Sequence, residues 1–302
     1  MKISFVIPAY NEENYIKACL QSITCHCKTN NIDAEILVID NGSTDNTAYL
    51  AKHSTDNVYS IERSSVSYAR NYGVHKASNE IIAFIDGDVE ITDTWIKCFK
   101  SYYSKFVSNP NFLTGHQCAV PENGGWIEQY WFKNLTDKFL GGANIITSIK
   151  VFNLLNGFDV NLETGEDYDL CIRSIDAGVN YFTDPEFKAI HLGFPNTLYQ
   201  FLRREYWHGK GDFITIKRFV KSQVAMIAVG YLLLHTIAII FLIMGNILIP
   251  LSLLVTLFLL NFLITYKRFS KCNLRIIFVN SFLNYAYLCA RGTSLLSFKR
   301  QG

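Results

Sequence analysis

The chain has 302 residues, of which 49% are apolar and 18% are charged. The charged fraction lies below the roughly 25% typical of soluble proteins but is too high for a polytopic transporter, and the apolar fraction excludes a disordered chain. A formal net charge of +2 excludes a strongly basic nucleic-acid-binding protein as the default class, because such domains concentrate lysine and arginine.

The N-terminal half alternates short apolar runs with segments of helical periodicity, and this alternation predicts an open α/β sheet of parallel strands. The predicted strands comprise residues 3–7, 35–39, 57–61 and 81–86. The predicted helices comprise about residues 12–23 and 66–76. Ligands bind such sheets beyond the carboxyl ends of the strands, so the polar residues that follow each strand are the first site candidates.

Three predicted strands are followed directly by polar segments. The sequence reads PAYNE from residue 8, DNGSTD from residue 40 and DGD from residue 86. Neither a GxGxxG fingerprint nor a Walker loop occurs in the sequence. The pattern therefore supports neither a dinucleotide-binding fold nor a nucleoside triphosphatase.

Five distinctive segments follow one another in a fixed order within about residues 3–175. They are VIPAYNEE from residue 6, VIDNGSTDNT from 38, ARNYG from 69, FIDGD from 84 and GFDVNLETGEDYDLCIR from 157. Together they resemble the motifs of the family 2 inverting glycosyltransferases. The resemblance implies the α/β GT-A nucleotide-diphospho-sugar transferase fold, with a Rossmann-like mixed sheet, and an enzyme that uses a nucleotide-diphosphate sugar.

The DGD segment is the expected metal site. Two carboxylates at i and i+2 after a strand can hold a divalent cation, because Mg²⁺ and Mn²⁺ share their shell with phosphates and water. The resemblance implies that Asp88 is the direct ligand and that Asp86 lies near the donor ribose and the metal. Gly87 lets the backbone approach the phosphates. His191 is a candidate additional ligand. The alternatives are a solvated turn for Asp86 and Asp88 and a structural role for His191.

The resemblance assigns the other donor contacts to the first two strand ends and to the ARNYG segment. Asp40 is expected to accept a hydrogen bond from the base, with Ser43 nearby, although both could instead stabilise the turn. The expected wall around base and ribose consists of Pro8, Ala9, Tyr10 and Glu12. Glu12 could instead be a charge at a helix start. Arg70 is expected to meet the base or phosphate, and a solvent-facing arginine is the alternative.

The acidic pair Glu166-Asp167 is the candidate for chemistry. In an inverting transfer the acceptor hydroxyl attacks the anomeric carbon in a single displacement, and a carboxylate must take its proton. By the resemblance, Asp167 is the expected base and Glu166 a positioning partner or the second candidate. Asp169 is expected to support the same turn. Carboxylates that only stabilise a helix dipole are the alternative.

Beyond residue 175 the resemblance is looser. The segment RREYWHG from residue 203 resembles the QxxRW motif of processive synthases, but Arg204 rather than a tryptophan follows Arg203, which argues against a processive polymerase. Arg204 is a candidate ligand of the donor diphosphate, and an interfacial helix before a membrane span is the alternative. The aromatic residues Trp126, Tyr130, Trp131 and Phe132 could stack on an acceptor sugar or serve packing alone.

The C-terminal part contains a long uncharged stretch. No Asp, Glu, Lys or Arg occurs from residue 223 to residue 265, a length about twice the 20 residues that cross a bilayer as a helix. Two transmembrane helices are therefore predicted, at about residues 223–244 and 247–265. A buried hairpin in a large soluble core is the alternative.

Basic residues flank both outer ends of this stretch. They are Lys217, Arg218 and Lys221 before it and Lys267, Arg268, Lys271 and Arg275 after it. The positive-inside rule places both ends in the cytoplasm, which predicts a cytoplasmic catalytic domain at 1–215 and an integral membrane region at 216–302. A third apolar segment, at about 276–296, is predicted as an amphipathic helix on the membrane surface or a third membrane helix. The cysteines are scattered without the spacing of a disulfide framework, which agrees with a cytoplasmic location.

These features predict a membrane-bound enzyme that transfers a sugar from a nucleotide-diphosphate donor to a polyprenyl-linked saccharide in surface polysaccharide or glycoconjugate assembly. The lipid bilayer is an expected partner and nucleic acid is not. A polyprenyl-phosphate sugar synthase is the main alternative, but such enzymes show an LQDPPE-like run and lack the ED block. This chain reads DGDVEITDTW from residue 86. A non-catalytic, membrane-anchored nucleotide-sugar-binding protein is a further alternative.

Overall fold

The computed structural model describes residues 1–136 and 139–297. The chain forms two compact units, the first comprising Met1–Glu122 and Thr136–Phe194, the second Asn123–Leu135 and the chain from Pro195 onward. The predicted boundary between residues 215 and 216 falls inside the second unit. A functional division into catalytic and membrane regions stays a prediction, and its last residues, 298–302, lie outside the described residues.

The first unit contains all the strands of the described chain. The strands are β1 Lys2–Ala9, β2 Asp33–Asp40, β3 Val58–Ser60, β4 Ile81–Ile85, β5 Val89–Ile91, β6 Phe112–Gly115, β7 Asn144–Ser148, β8 Asn180–Tyr181 and β9 Ala189–His191. The α-helices are α1 Ile16–Thr29, α2 Thr47–Ala51, α3 Val66–Lys76, α4 Asp93–Ser108, α5 Trp126–Tyr130, α6 Ile149–Leu154, α7 Glu166–Asp176, α8 Leu198–Asp212, α9 Ile216–Lys221, α10 Gln223–Ile243, α11 Leu248–Arg268 and α12 Leu274–Thr293.

A seven-stranded sheet forms the centre of the first unit, with strand order β3-β2-β1-β4-β7-β6-β8. Strands β1 to β4 pair in parallel, whereas β7 is antiparallel to both β4 and β6. The predicted mixed α/β sheet is confirmed. The predicted strands and the helix at 66–76 all form, because their periodicity matches a sheet that is buried between helices.

Helices cover the sheet on both faces. One core joins Phe5 and Ile7 of β1 with α1 and α4, and the other joins Val6 with α3, α6 and α7. Successive side chains of a strand point to opposite faces, so β1 is apolar at nearly every position. Gly73 lets α3 approach this strand closely, because a Cβ there would overlap the Val6 side chain.

The carboxyl ends of β1, β2 and β4 lie side by side at one edge of the sheet. Ala9 at the end of β1 is level with Asp40 at the end of β2, and β4 pairs with β1 on its other side. The PAYNE, DNGSTD and DGD segments therefore leave the sheet together. This edge is the place where an open α/β sheet binds its ligands.

Helix α1 begins at Ile16 rather than near residue 12, where the periodicity predicts it. The intervening residues bond to the second loop instead. The Asn11 N–H donates to Ser43 Oγ at 3.0 Å, and the Glu12 N–H donates to Thr47 Oγ1 at 2.7 Å. These bonds hold the first two loops together and delay the helix by about one turn.

The second unit contains two apolar helices, α10 and α11, that are long and apolar enough to span a membrane. Their bounds agree closely with the spans predicted at about 223–244 and 247–265. Only 17% and 22% of their most apolar 18-residue windows are buried, which argues against a hairpin inside a soluble core. Insertion into a membrane and its orientation stay predictions.

Helix α12 forms over the third apolar segment and packs against α8, α10 and α11. Polar groups pair along its contact with α11. Asn261 Nδ2 donates to the backbone oxygen of Ser281 at 2.7 Å, and Asn284 Nδ2 donates to Asn261 Oδ1 at 2.8 Å. Pairing of this kind allows amide side chains to lie within an apolar bundle.

Candidate active site

The first two loops form a hydrogen-bonded unit around Asp40. This buried residue ends β2, and its Oδ1 accepts a hydrogen bond from the Ser43 N–H at 3.1 Å. Ser43 also holds Asn11, whose φ of 57° lies in the left-handed region. Asp40 and Ser43 therefore stabilise the turn, and their expected contact with a nucleotide stays a prediction.

The predicted donor wall forms the first loop. Pro8 and Ala9 are buried at the end of β1, whereas Tyr10 is 39% exposed. The guanidinium of Arg63 lies over the Tyr10 ring, with Cζ 3.5 Å from the ring centroid. An aromatic face at this edge can stack on a flat ligand. Sequence analysis missed Arg63, because nothing in the linear order links it to the first loop.

The first and third loops approach each other at Gly87. A Cβ at this position would lie 3.2 Å from Glu12 Cγ and 3.4 Å from the Ala9 Cβ. Burial, assisted by the carboxylates of Asp88 and Asp86, raises the pKa of Glu12 to about 8. The carboxylates of Asp86 and Asp88 concentrate negative charge here, and this charge would stabilise a cation bound beside them. The alternative of a helix-dipole charge at Glu12 is wrong, because α1 has no acidic residue in its first turn.

A two-stranded sheet of β5 and β9 brings Asp88 and His191 together. Val89 is level with His191 in this antiparallel pair, and His191 Nδ1 lies 3.5 Å from Asp88 Oδ2. That nitrogen is buried and makes no hydrogen bond, while a Cβ at Gly193 would overlap the Asp88 carboxylate. A buried unpaired imidazole nitrogen beside a carboxylate fits a bound cation.

These residues fit a divalent cation that takes further ligands from a substrate. Among residues 1–136 and 139–297, no group of three or more His, Cys, Asp or Glu side chains is arranged to hold a metal ion by itself. Mg²⁺ usually takes one or two carboxylates and completes its shell with phosphate and water. Asp86 accepts a hydrogen bond from Arg70 at 2.7 Å, so Asp88 and His191 are the better placed pair.

Arg70 of α3 links the third loop to the start of α7. It is 2% exposed, and its Nη2 and Nη1 donate to Asp86 Oδ1 and Glu166 Oε1, each at 2.7 Å. A Cβ at Gly142 would lie 2.8 Å from Nη2, so this glycine packs directly on the guanidinium. The solvent-facing alternative for Arg70 is wrong, and its contact with a base or phosphate stays a prediction.

The acidic pair opens α7 directly after Gly165, whose φ is 76°. Burial raises the pKa of Glu166, although the nearby Arg70 opposes this effect. Asp167 is half-buried, and its Oδ2 accepts a hydrogen bond from the Gly142 N–H at 2.9 Å. Both carboxylates are therefore held by groups outside their own helix. Sequence analysis missed Gly142, because a pair of glycines does not indicate which side chains it contacts in the fold.

Two further side chains support the loop that precedes α7. Asn71 donates from Nδ2 to the Phe158 backbone oxygen at 2.8 Å and accepts from its N–H at 2.9 Å. Arg173 pairs with Asp169 at 2.7 Å and donates to the Gly157 backbone oxygen at 2.9 Å. Asp169 thus has the supporting contact that was expected. Sequence analysis did not single out Asn71 or Arg173. The available signal was that Asn71 lies in the ARNYG segment and Arg173 in the GEDYDLCIR segment.

The remaining sequence candidates lie in the second unit. Arg204 Nη1 pairs with the buried Glu205 at 2.7 Å, and its guanidinium lies 4.9 Å from the Phe132 ring centroid. A role for Arg204 at a diphosphate stays a prediction. Trp131 and Phe132 are buried and pack against other aromatic rings, so the packing alternative is correct for them. Trp126 remains exposed.

Comparisons with known proteins identify glycosyltransferases as the proteins that this chain resembles. Residues 4–105 match the sequence model of Glycosyl transferase family 2. Glycosyltransferase AglE of Haloferax volcanii is 27% identical over 252 residues, which cover 76% of this chain and 81% of that protein. An uncharacterized glycosyltransferase of Rickettsia conorii is 32% identical over 222 residues, which cover 63% of this chain and only 36% of that protein.

A solved structure shares the fold. Mannosyltransferase PcManGT from Pyrobaculum calidifontis, determined in complex with GDP-Man and Mn²⁺, superposes with a TM-score of 0.62 at 16% sequence identity. The match covers 97% of this chain and 86% of that chain. The chain thus contains a glycosyl transferase family 2 domain over residues 4–105, is similar to a glycosyltransferase over most of its length, and has a GT-A-type fold.

Proposed function

We propose that the protein is a membrane-bound inverting glycosyltransferase that moves a sugar from a nucleotide-diphosphate donor to a lipid-linked saccharide. The observation that carries this proposal is the buried assembly in which Arg70 pairs with Asp86 and with Glu166. It joins the proposed donor loop to the helix start that bears the proposed base. An isolated acidic turn, or acids that only favour a helix dipole, would have no need of such a link.

The donor nucleotide is proposed to lie across the carboxyl ends of β1 and β2. Asp40 would meet the edge of the base, Tyr10 would form an aromatic wall, and Gly87 would leave room for the phosphates. Arg204 is proposed as a contact to the diphosphate. The Pyrobaculum mannosyltransferase of this fold was solved with GDP-Man, which supports a nucleotide-diphosphate sugar as the class of donor.

Asp88 and His191 are proposed to hold Mg²⁺ or Mn²⁺, with Asp86 close by. The unpaired buried nitrogen of His191, 3.5 Å from Asp88 Oδ2, supports this, as does the Mn²⁺ in the Pyrobaculum protein. When bound, such a cation offsets the charge that grows on the departing diphosphate. The chain itself keeps the Asp88 carboxylate in place beside Gly193 and fixes Asp86 through Arg70.

Asp167 is proposed as the general base. A single displacement inverts the anomeric centre and requires a carboxylate that takes the hydroxyl proton as the bond forms. The hydrogen bond from the Gly142 N–H to Asp167 Oδ2, at 2.9 Å, orients this carboxylate. Glu166 Oε1 is held by Arg70 in an ion pair of 2.7 Å, so it is the less free of the two to accept that proton from a hydroxyl.

The acceptor is proposed to be a saccharide on a polyprenyl diphosphate, because α10 and α11 are long and apolar enough to span a membrane. The basic residues at the outer ends of these helices support a catalytic domain on the cytoplasmic side of the cytoplasmic membrane. The alternative acceptor is polyprenyl phosphate itself. The two products differ in composition, since one carries a lipid diphosphate with an extended saccharide and the other a lipid monophosphate with one sugar.

A donor screen tests this proposal. The full chain in detergent is incubated with Mn²⁺ or Mg²⁺, a panel of nucleotide sugars and a lipid extract, and the products are identified by mass spectrometry. We expect one added sugar on a polyprenyl-diphosphate saccharide, loss of this product with EDTA and its return with Mn²⁺. Asp88→Asn should abolish it. A lipid monophosphate product would establish the alternative, and nucleotide binding without any product would contradict an enzymatic role.

Orientation has its own test. A membrane-impermeant maleimide added to intact cells should label Asn246→Cys, in the turn between the two helices, above the background of the native cysteines. Cys25 of the first unit is exposed and should react with the maleimide only after the cells are lysed. Labelling of Cys25 in intact cells would contradict the cytoplasmic orientation.

A further inference from the structure

We propose that Arg70 is a positioning residue that aligns the donor-side loop with the proposed base, an inference that rests on the proposed function. Its two terminal nitrogens bind carboxylates from different parts of the fold. Asp86 follows β4 and Glu166 opens α7, and each lies 2.7 Å from one η nitrogen. A single guanidinium thus links the loop that carries Asp86 to the helix that carries Glu166.

The geometry of this link requires an arginine. A planar guanidinium presents its η nitrogens in a fixed fork, whereas the ammonium of a lysine is a compact point charge on a flexible stem. A lysine at position 70 has one ammonium nitrogen in place of the two η nitrogens that pair with Asp86 and Glu166, so it would not reproduce both ion pairs in their present geometry. Loss of the ion pair to Glu166 would leave that buried carboxylate without its counter-charge, which is unfavourable.

Gly142 extends the link to the base itself. It packs against the guanidinium, because a Cβ there would lie 2.8 Å from Nη2 and 2.9 Å from Nη1 of Arg70. Its N–H donates to Asp167 Oδ2 at 2.9 Å. Arg70 therefore controls Glu166 directly and Asp167 through one backbone amide, so both members of the acidic pair depend on one side chain.

Arg70 acts through these groups rather than on a donor. Both of its η nitrogens are engaged, and the whole residue is 2% exposed.

The test compares turnover with donor affinity in the full chain, using the donor that the screen identifies. We expect Arg70→Lys to lower kcat by about 30-fold and Arg70→Met by about 100-fold, the size of effect that follows when reacting groups are slightly misplaced. The KM for the donor, and the calorimetric affinity for GDP or UDP with Mn²⁺, should change less than about fivefold. Gly142→Ala should lower kcat with Arg70 still present.

Arg173→Lys is the matched control, because Arg173 is also ion-paired and holds backbone oxygens in the same unit. It should lower the Tm while keeping kcat within about threefold. Equal losses of Tm and kcat in both arginine variants would overturn the proposal, and so would a loss of GDP or UDP affinity that matches the loss of kcat. Full turnover in Arg70→Met would overturn this inference alone. A native chain inactive with every donor would overturn the proposed function and the inference together.

Discussion

Each compact unit contains a buried charged residue that lies between two side chains of the opposite charge. In the acidic triad of the first unit, one arginine lies between two carboxylates; its members are Asp86, Arg70 and Glu166. In the basic triad of the second unit, one carboxylate lies between two arginines; its members are Arg204, Glu205 and Arg291. Both central residues are almost fully buried, so the clusters differ mainly in charge ratio.

The charge ratio changes how firmly the buried carboxylates are ionised. Burial raises the pKa of Glu166, and the single arginine it shares does not cancel this effect. Burial alone would also raise the pKa of Glu205, but Arg204 and Arg291 outweigh it and lower that pKa. The comparison teaches that the number of counter-charges, rather than burial, decides the outcome. We expect the acidic triad to serve the chemistry and the basic triad to serve stability.

The largest expected effect is a loss of turnover in the first unit that is not accompanied by a loss of stability. Asp167→Asn keeps the size of the side chain but removes the carboxylate that is proposed to take the acceptor proton. Turnover should fall by about 10²- to 10⁴-fold, the usual contribution of a general base, with donor affinity and Tm nearly unchanged. Steady-state kinetics and calorimetry measure this directly. Full activity in the variant would remove the base assignment.

The next effect should appear in the basic triad as a loss of stability. Arg291→Met leaves Glu205 with one arginine and also removes the 3.0 Å ion pair to Asp212. A broken buried pair is expected to destabilise the fold by about 3–5 kcal/mol. Thermal unfolding in detergent measures it, with the double variant Glu205→Met and Arg291→Met as the control, which should recover part of the loss. An unchanged Tm in the single variant would refute the stabilising role.

A matched pair of variants sharpens the comparison. Glu205→Gln removes the charge that two arginines favour and should destabilise the fold by about 2 kcal/mol. Glu166→Gln removes a charge that burial disfavours while keeping an acceptor for Arg70, and should cost less than about 1 kcal/mol. Denaturant unfolding of both proteins gives the difference. Equal losses would mean that charge ratio does not govern these clusters.

Acid titration of stability gives a smaller effect. The pKa of Glu205 is lowered in the folded state, so its contribution is complete above the unfolded pKa of about 4.3 and is lost as the pH falls through the folded value. Between those two values the native protein should lose stability with falling pH more steeply than Glu205→Gln. Tm values measured across this acidic range would show the difference in slope. Parallel curves would contradict it.

The smallest effect should come from an exposed ion pair. Lys97 Nζ lies 2.7 Å from Asp93 Oδ2 on α4, and both side chains are largely exposed. Screening by water and salt leaves such pairs with little influence. Lys97→Ala should therefore leave turnover and Tm within experimental error. A measurable loss of either would show that the other variants also report non-specific effects.

Much of the sheet and the loop cluster follows from local patterns. The apolar runs predict β1, β2 and β4 because both faces of the sheet are covered, and parallel order predicts that PAYNE, DNGSTD and DGD emerge at one edge. The start of α1 was predicted about one turn too early, since periodicity does not register the bonds from Asn11 and Glu12 to the second loop. Local side-chain bonds of this kind compete with helix formation.

The assembly around Arg70 could not be derived from the sequence for a different reason. Which partner a charged side chain meets is set by tertiary packing, and Arg70 lies 16 residues before Asp86 and 96 residues before Glu166. Gly142 carries no chemical signal at all, yet it contacts the guanidinium and binds Asp167. His191 was found from its position after a strand, but the pairing of β5 with β9 that brings it to Asp88 was not predicted.

The amide of Asn261 bears on how the chain is assembled during its synthesis. Its hydrogen-bond partners, Ser281 and Asn284, follow it by 20 and 23 residues, so α11 is complete before either of them exists. In a bilayer an unsatisfied amide is unfavourable by several kcal/mol. With α10 and α11 inserted in a membrane, as proposed, their hairpin would be an incomplete intermediate until α12 is synthesised, and a nascent chain that stops before residue 281 should be held less firmly in the membrane.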